Sequence, residues 1–247
     1  MKKKISKHFS VLFLVSLVVN VTSCFSNEAK YPQGFKTYNR EGYTILYSGR
    51  DKLPLWVFER LTSKILERNI QRGNRNFIED VEIPSLHRVR EADYHLVAKN
   101  FSFDKGHMAA ATNHENSLRA MDQSFLYTNA CPQHSSCNRG VWKQLELSIK
   151  NDLVLYPIID VISGPLFFSE SRGEKKYVTY QVLGQSEVAV PTHFFKVVYY
   201  RDLQEKLQKL LCYIIPNNAT VLGKNHDAFQ ENIEKIEKVS GLIFVKD

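Results

Sequence analysis

Phe103-Asp104-Lys105-Gly106-His107-Met108-Ala109-Ala110-Ala111-Thr112-Asn113-His114, then Asn129-Ala130-Cys131-Pro132-Gln133, then Asn138-Arg139-Gly140-Val141-Trp142-Lys143-Gln144-Leu145-Glu146, make up the stretch that decides how this chain folds. His107 directly follows Gly106, which suits close backbone approach and an exposed side chain. A neutral imidazole with a pKa near physiological pH can take a proton from water. Val141, Trp142, Leu145 and Ile149 fall on one face of a helix. Asn138 stands at its start, where two readings remain open. It is a good N-cap, and it is also a neutral oxygen ligand for a divalent cation such as Mg²⁺, which keeps several waters when few protein ligands bind it. Asn138, Trp142 and Glu146 lie on one i, i+4, i+8 stripe, so Glu146 can face the same side and accept from a metal-bound water. Taken alone, Glu146 would be a surface carboxylate.

Outward from this stretch, 247 residues with 43% apolar content suffice for one large domain with a substantial core, and exclude a disordered chain. The net charge of +7 invites a nucleic-acid reading, but Lys2, Lys3, Lys4 and Lys7 supply four of those charges and leave about +3. Those lysines open a targeting segment. An apolar run over 9–19 is too short to span a membrane comfortably, and it ends in Val21-Thr22-Ser23-Cys24. Residues 1–23 are therefore expected to be an export signal, 24–39 a tether and 40–247 the domain. Val21-Thr-Ser-Cys24 resembles a bacterial lipobox with Cys24 as the lipidated residue; plain secretion to the medium or periplasm is the alternative, and an uncleaved anchor the weakest of the three. In an oxidising compartment Cys131 and Cys137, bracketing a short polar loop, are the natural disulfide pair. Cys212, in an apolar run, is expected to be a buried thiol.

The rest of the chain carries strand signals. Residues 43–47 and 55–61 are β-branched and aromatic with partial alternation. Residues 153–162 are nearly all apolar and predict a central strand, bent at Pro157 and ended by Ser163-Gly164-Pro165. Residues 177–183 and 188–200 predict further strands. Helical spacing covers 229–239, with Ser240-Gly241 as the stop.

The order Asp-Lys-Gly-His, Pro-Gln, Asn, Trp four residues on, then Leu-Glu resembles the DNA/RNA non-specific endonucleases, the ββα-metal nucleases. Lys105 departs from the family, which usually has Arg there. Similar but sparser matches run from about residue 40 to the C-terminus. The resemblance implies an α/β (α+β) fold: a single nuclease domain with a central, mostly antiparallel sheet and a ββα-metal core. It implies hydrolysis of phosphodiesters in DNA and RNA, with 5′-phosphate and 3′-hydroxyl products. His107 would be the general base, Asn138 the ligand for Mg²⁺ (with Mn²⁺ able to substitute), and Glu146 the acceptor for a metal-bound water.

Asn129, beside the catalytic pair, is expected to orient substrate or water. Lys105 keeps the charge of the family arginine without its planar fork. Arg75 is the nearest match to a phosphate-binding arginine, the other reading being a solvated loop residue. Lys150 stands where the family often has a basic phosphate contact, or is a solvated helix lysine. Nothing here is assigned to a base edge or a 2′-hydroxyl, so little sequence preference is expected. The expected partners are DNA and RNA, the membrane if Cys24 carries lipid, and, left open, a second copy of the chain in a homodimer. A binding lipoprotein that captures nucleic acid without cutting it is the runner-up reading; a module for protein interactions comes third.

Overall fold

Alternating apolar residues give strands where one face can be buried, and the computed structural model, which describes residues 35–95 and 103–245, shows how those faces are used. The chain opens with β1 (Phe35–Asn39), β2 (Thr44–Ser48) and β3 (Leu53–Thr62), an antiparallel meander. Its first strand reaches back into the stretch expected as tether. A loop leads to α1 (Glu91–His95), then β4 (Phe103–His107), α2 (Leu118–Ser124), β5 (Ala130–His134) and α3 (Lys143–Asn151). Next come β6 (Ile158–Leu166) and two small hairpins, β7 (Glu170–Arg172) with β8 (Lys175–Tyr177) and β9 (Val182–Leu183) with β10 (Val188–Ala189). The chain closes with β11 (His193–Arg201), β12 (Leu207–Pro216) and α4 (Ile233–Ser240).

Six strands make the main sheet in the order β1-β2-β3-β6-β11-β12, every neighbouring pair antiparallel. β11, one strand in from the edge, shows how both faces of the sheet are used. Phe194, Val198 and Tyr200 point to one face and Phe195, Val197 and Tyr199 to the other, all buried. The first face packs against Trp142, just before α3, and against α3 through Leu145 and Ile149; the second packs against α4 through Ile233 and Ile236. Two hydrophobic layers therefore sandwich the sheet, and the segment 103–146 belongs to the first of them.

Several boundaries differ from expectation. The apolar run 153–162 is not one strand: Val154 and Leu155 are exposed in the turn that follows α3, and β6 starts only after Pro157. Nor do Ser163-Gly164-Pro165 end it. Gly164 stays in the strand because a Cβ there would lie 2.6 Å from both the Leu55 carbonyl oxygen and the Phe195 ring. Pro165 is tolerated because β3 leaves the ladder at Ser163, so no neighbour on that side needs its missing N–H. The expected strand 177–183 is interrupted between β8 and β9, and 188–200 splits into β10 and β11 around Pro191. The last helix starts at Ile233 rather than near 229, because the Asn232 side chain caps it by accepting from the Glu234 N–H.

Candidate active site

The ββα unit is assembled from short-range contacts. β4 and β5 pair with Gly106 opposite Cys131 and His107 opposite Ala130. Gly106 is required there: a Cβ would lie 2.1 Å from Gln133 Oε1, so any side chain would push the two strands apart. His107 ends β4 with its ring packed on Phe77 (4.6 Å between centroids) and edge-on to Phe125 (4.8 Å). Its carbonyl accepts from Trp142 Nε1 at 3.2 Å, tying the strand to the helix. Burial, reinforced by the charge of Arg72, pushes the imidazole down to about 3, so it is neutral at any physiological pH. Nε2 is sealed from solvent and has no hydrogen-bond partner among the described residues.

Asn129 sits behind this histidine rather than in the cleft. It is fully buried; its Oδ1 accepts from Ala109 N–H at 2.8 Å, and its Nδ2 donates to the carbonyls of Ala109 and Ser124, both at 2.9 Å. Its three hydrogen bonds go to the backbone of Ala109 and Ser124 and none to the cleft, so the expected role toward substrate or water is corrected to a structural one.

Asn138 lies inside a widened turn, Cys137–Trp142, that precedes α3. It is not the cap: the capping position is Ser136, just ahead of the turn, which makes no side-chain capping bond. The i, i+4, i+8 stripe also fails, because Gly140 leaves helical geometry (φ −101°, ψ −110°) and breaks the phase. Asn138 and Glu146 still reach the same cleft, while Trp142 turns into the core. The Asn138 Nδ2 donates to Asp104 Oδ2 at 2.8 Å, so a carboxylate dictates which end of the amide is oxygen and leaves Oδ1 for a cation. Burial alone would raise the Asp104 carboxyl, but bonds from Arg139 (2.8 and 2.5 Å) and Asn138, with the Arg139 charge, hold it below the usual range.

Glu146 is pushed up to about 7 by burial, against the opposing charge of Lys196. Lys196 is itself buried, donates to Ser163 Oγ at 2.7 Å, and sits 4.2 Å from the Trp142 ring centre. Glu146 Oε1 is sealed and has no partner among the described residues.

These residues fit a hard divalent cation. Glu146, whose buried Oε1 has no partner among the described residues, and the neutral His107 share a cleft of about 650 Å³ with an amide oxygen aimed by its neighbour. No group of three or more His, Cys, Asp or Glu able to hold a metal occurs among the described residues.

The cations divide sharply. Lys105 reaches the cleft, but its Nζ donates to both carboxylate oxygens of Glu91 (2.8 and 2.7 Å), and the Tyr127 hydroxyl also donates to Glu91. Arg75 is occupied by Asp122 (2.7 Å) and the Gln71 and Arg72 carbonyls (each 2.7 Å), so it staples its own loop. Arg72, which the sequence reading passed over, lines the cleft with its guanidinium 5.3 Å from the Phe125 ring centre. Only its neighbourhood in space, not its spacing, distinguishes it from Arg75. Lys150 is not a solvated helix lysine: it is buried, donates to the Thr112 carbonyl and lies 3.5 Å from Glu115, so its ammonium is already engaged by the protein.

The expected disulfide is absent. Cys131 and Cys137 are both free and buried, with different surroundings: Cys131 lies in β5 opposite Gly106, whereas Cys137 accepts from Gln133 Nε2 at 3.5 Å. Cys212 is a buried free thiol, as expected. The segment with Cys24 lies outside the described residues.

A family model for DNA/RNA non-specific endonucleases matches residues 20–247. Human mitochondrial endonuclease G is 38% identical over 208 residues, 84% of this chain and 68% of the relative. Nuclease C1 of Cunninghamella echinulata var. echinulata is 37% identical over 209 residues, covering 83% and 81%. The solved complex of EndoG with EndoGI superposes with a TM-score of 0.79 at 32% identity, covering 87% of each chain. The chain belongs to the DNA/RNA non-specific endonuclease family and is accordingly a metal-dependent phosphodiester hydrolase.

Proposed function

We propose that this protein is an exported, Mg²⁺-dependent endonuclease that cuts DNA and RNA with little regard to sequence, using His107 as general base and Asn138 as the metal's direct protein ligand. The observation that carries the proposal is His107, its imidazole kept neutral by burial, lining the same cleft as the oriented amide of Asn138. His107 takes a proton from water as it attacks phosphorus, its burial keeping the imidazole in the neutral form that can accept one. Asn138 Oδ1 would hold Mg²⁺, or Mn²⁺ in its place, and Glu146 would accept a hydrogen bond from a water of that ion. When bound, the ion supplies charge neutralisation on the phosphate and the leaving oxygen. Arg72 adds a guanidinium fork on the His107 side of the cleft, with no acidic partner among the described residues.

Export rests on residues 1–23, with Cys24 as the lipidated residue of an envelope lipoprotein; processing that is blocked in Cys24→Ser supports lipidation, and a wholly soluble wild type replaces it with plain secretion. The nuclease reading is tested by incubating purified protein with plasmid DNA and with RNA, with and without EDTA. Cleavage of both that EDTA abolishes supports it; tight binding without cleavage at any metal concentration refutes it.

A further inference from the structure

Five cations line the cleft: Arg72, Arg75, Lys105, Arg139 and Lys143. Three are held by carboxylates, Arg75 by Asp122, Lys105 by Glu91 and Arg139 by Asp104. Arg72 and Lys143 pair with no acid among the described residues, and they stand on different sides. Arg72 acts on His107, whereas Lys143, in the first turn of α3, acts on Glu146.

Depth separates them from the reacting groups. His107 Nε2 and Glu146 Oε1 are sealed at the floor, while Lys143 is exposed at the rim. A phosphodiester backbone that presents one phosphate to the floor keeps its neighbouring phosphates at the rim. The cleft volume of about 650 Å³ leaves room for this, being roughly twenty times the 30 Å³ or so that one water occupies. Lys143 is also not needed for the fold, since the apolar face of α3 is made by Leu145 and Ile149.

We infer that Lys143 binds a substrate phosphate adjacent to the scissile one, on the Glu146 side of the cleft, and so lengthens the footprint beyond the reacting phosphodiester. This rests on the phosphodiester reading above. A flexible point charge suits a phosphate that must be held but not reshaped. Contact with a non-reacting phosphate binds ground and transition states alike, so it lowers KM and leaves kcat alone.

The experiment measures binding of a short DNA duplex to His107→Ala protein, with Mg²⁺ present, across a salt series, with and without Lys143→Gln. Losing one phosphate contact should flatten the slope of log K against log salt by about 0.9, which is roughly fivefold in affinity at 0.15 M salt. In the active protein, Lys143→Gln should raise KM by the same factor with kcat within twofold, and Lys143→Arg should restore the slope. Lys238→Gln, on α4 across the sheet, controls for net charge and should change neither. An unchanged slope makes Lys143 a solvated helix lysine and overturns the inference. A fall in kcat at constant KM also overturns it, placing Lys143 on the reacting phosphate instead. If the His107→Ala protein shows no salt-dependent binding at all, the nuclease reading fails with it, whereas normal wild-type cleavage alongside an unchanged Lys143→Gln slope leaves that reading standing.

Discussion

Asp104→Asn should weaken metal binding without touching a metal ligand. In the native protein the 2.8 Å bond from Asn138 Nδ2 ends on a carboxylate that Arg139 holds in place. A carboxylate can only accept, so the amide has one admissible orientation. With Asn at 104 the partner can present either a donor or an acceptor, and Asn138 can turn its NH₂ toward the cation. Losing a charge-assisted bond of this kind costs about 1.5–3 kcal/mol. Expressed as affinity, that is on the order of 10- to 100-fold, the range expected when a residue supporting a metal ligand is removed. Fold stability should change little, because Arg139, the other partner of Asp104, is 74% exposed. Titration calorimetry with Mg²⁺ or Mn²⁺ reads the effect directly, and the metal concentration for half-maximal cleavage should rise in parallel. At saturating metal, kcat should recover to within a few fold. Unchanged metal affinity with kcat reduced at every metal concentration would refute the reasoning, because Asp104 would then act on substrate rather than through Asn138.

Three further expectations concern neighbouring residues. His107→Ala should lose about 10²- to 10⁴-fold in rate yet still bind nucleic acid, and no kinetic limb of the wild type should belong to His107 near neutrality, since its pKa is driven to about 3. The acidic limb of kcat/KM should instead follow Glu146, whose carboxyl is pushed up to about 7: activity falls as pH drops and that group protonates, and Lys196→Met should move the limb to higher pH. Asn129→Ala strands buried backbone groups at Ala109 and Ser124, so it should cost about 3 kcal/mol, or roughly 6–12 °C in Tm for a domain of this size; a large rate loss at unchanged Tm would argue against the structural role. Because Cys131 and Cys137 are free thiols, reductant should leave the metal requirement unchanged, and mass spectrometry of the denatured protein should find both thiols reactive.

Much of this was legible in the sequence because the signals were local. Strands were legible in β-branched and aromatic runs and the central antiparallel sheet in the family resemblance, and His107 beside Gly106 follows from a strand pair in which no Cβ fits. Asn138 and Glu146 reach the cleft as expected, although by a broken turn rather than a continuous helix. What could not be read depends on partners distant in sequence. Arg75 and Arg72 look alike in the chain, and only Asp122, 47 residues away, decides which is occupied. Lys150 is withdrawn into the core by the Thr112 carbonyl, 38 residues earlier. Cys131 and Cys137 are close in sequence but have different surroundings, because a strand and a widened turn send their side chains to different neighbours.

The two-layered core divides the molecule's tolerance for change. Phe195, Val197 and Tyr199 look toward α4, and Phe194, Val198 and Tyr200 toward the reacting layer, although all six belong to one strand. A directed-evolution library confined to the odd positions of β11, with Ile233, Ile236 and Phe244, would therefore explore thermal robustness while leaving the cutting machinery in its native surroundings. The even positions offer no such freedom: repacking around Phe194 moves Trp142, 5.6 Å away between ring centres, and through its indole bond shifts the carbonyl of His107 itself.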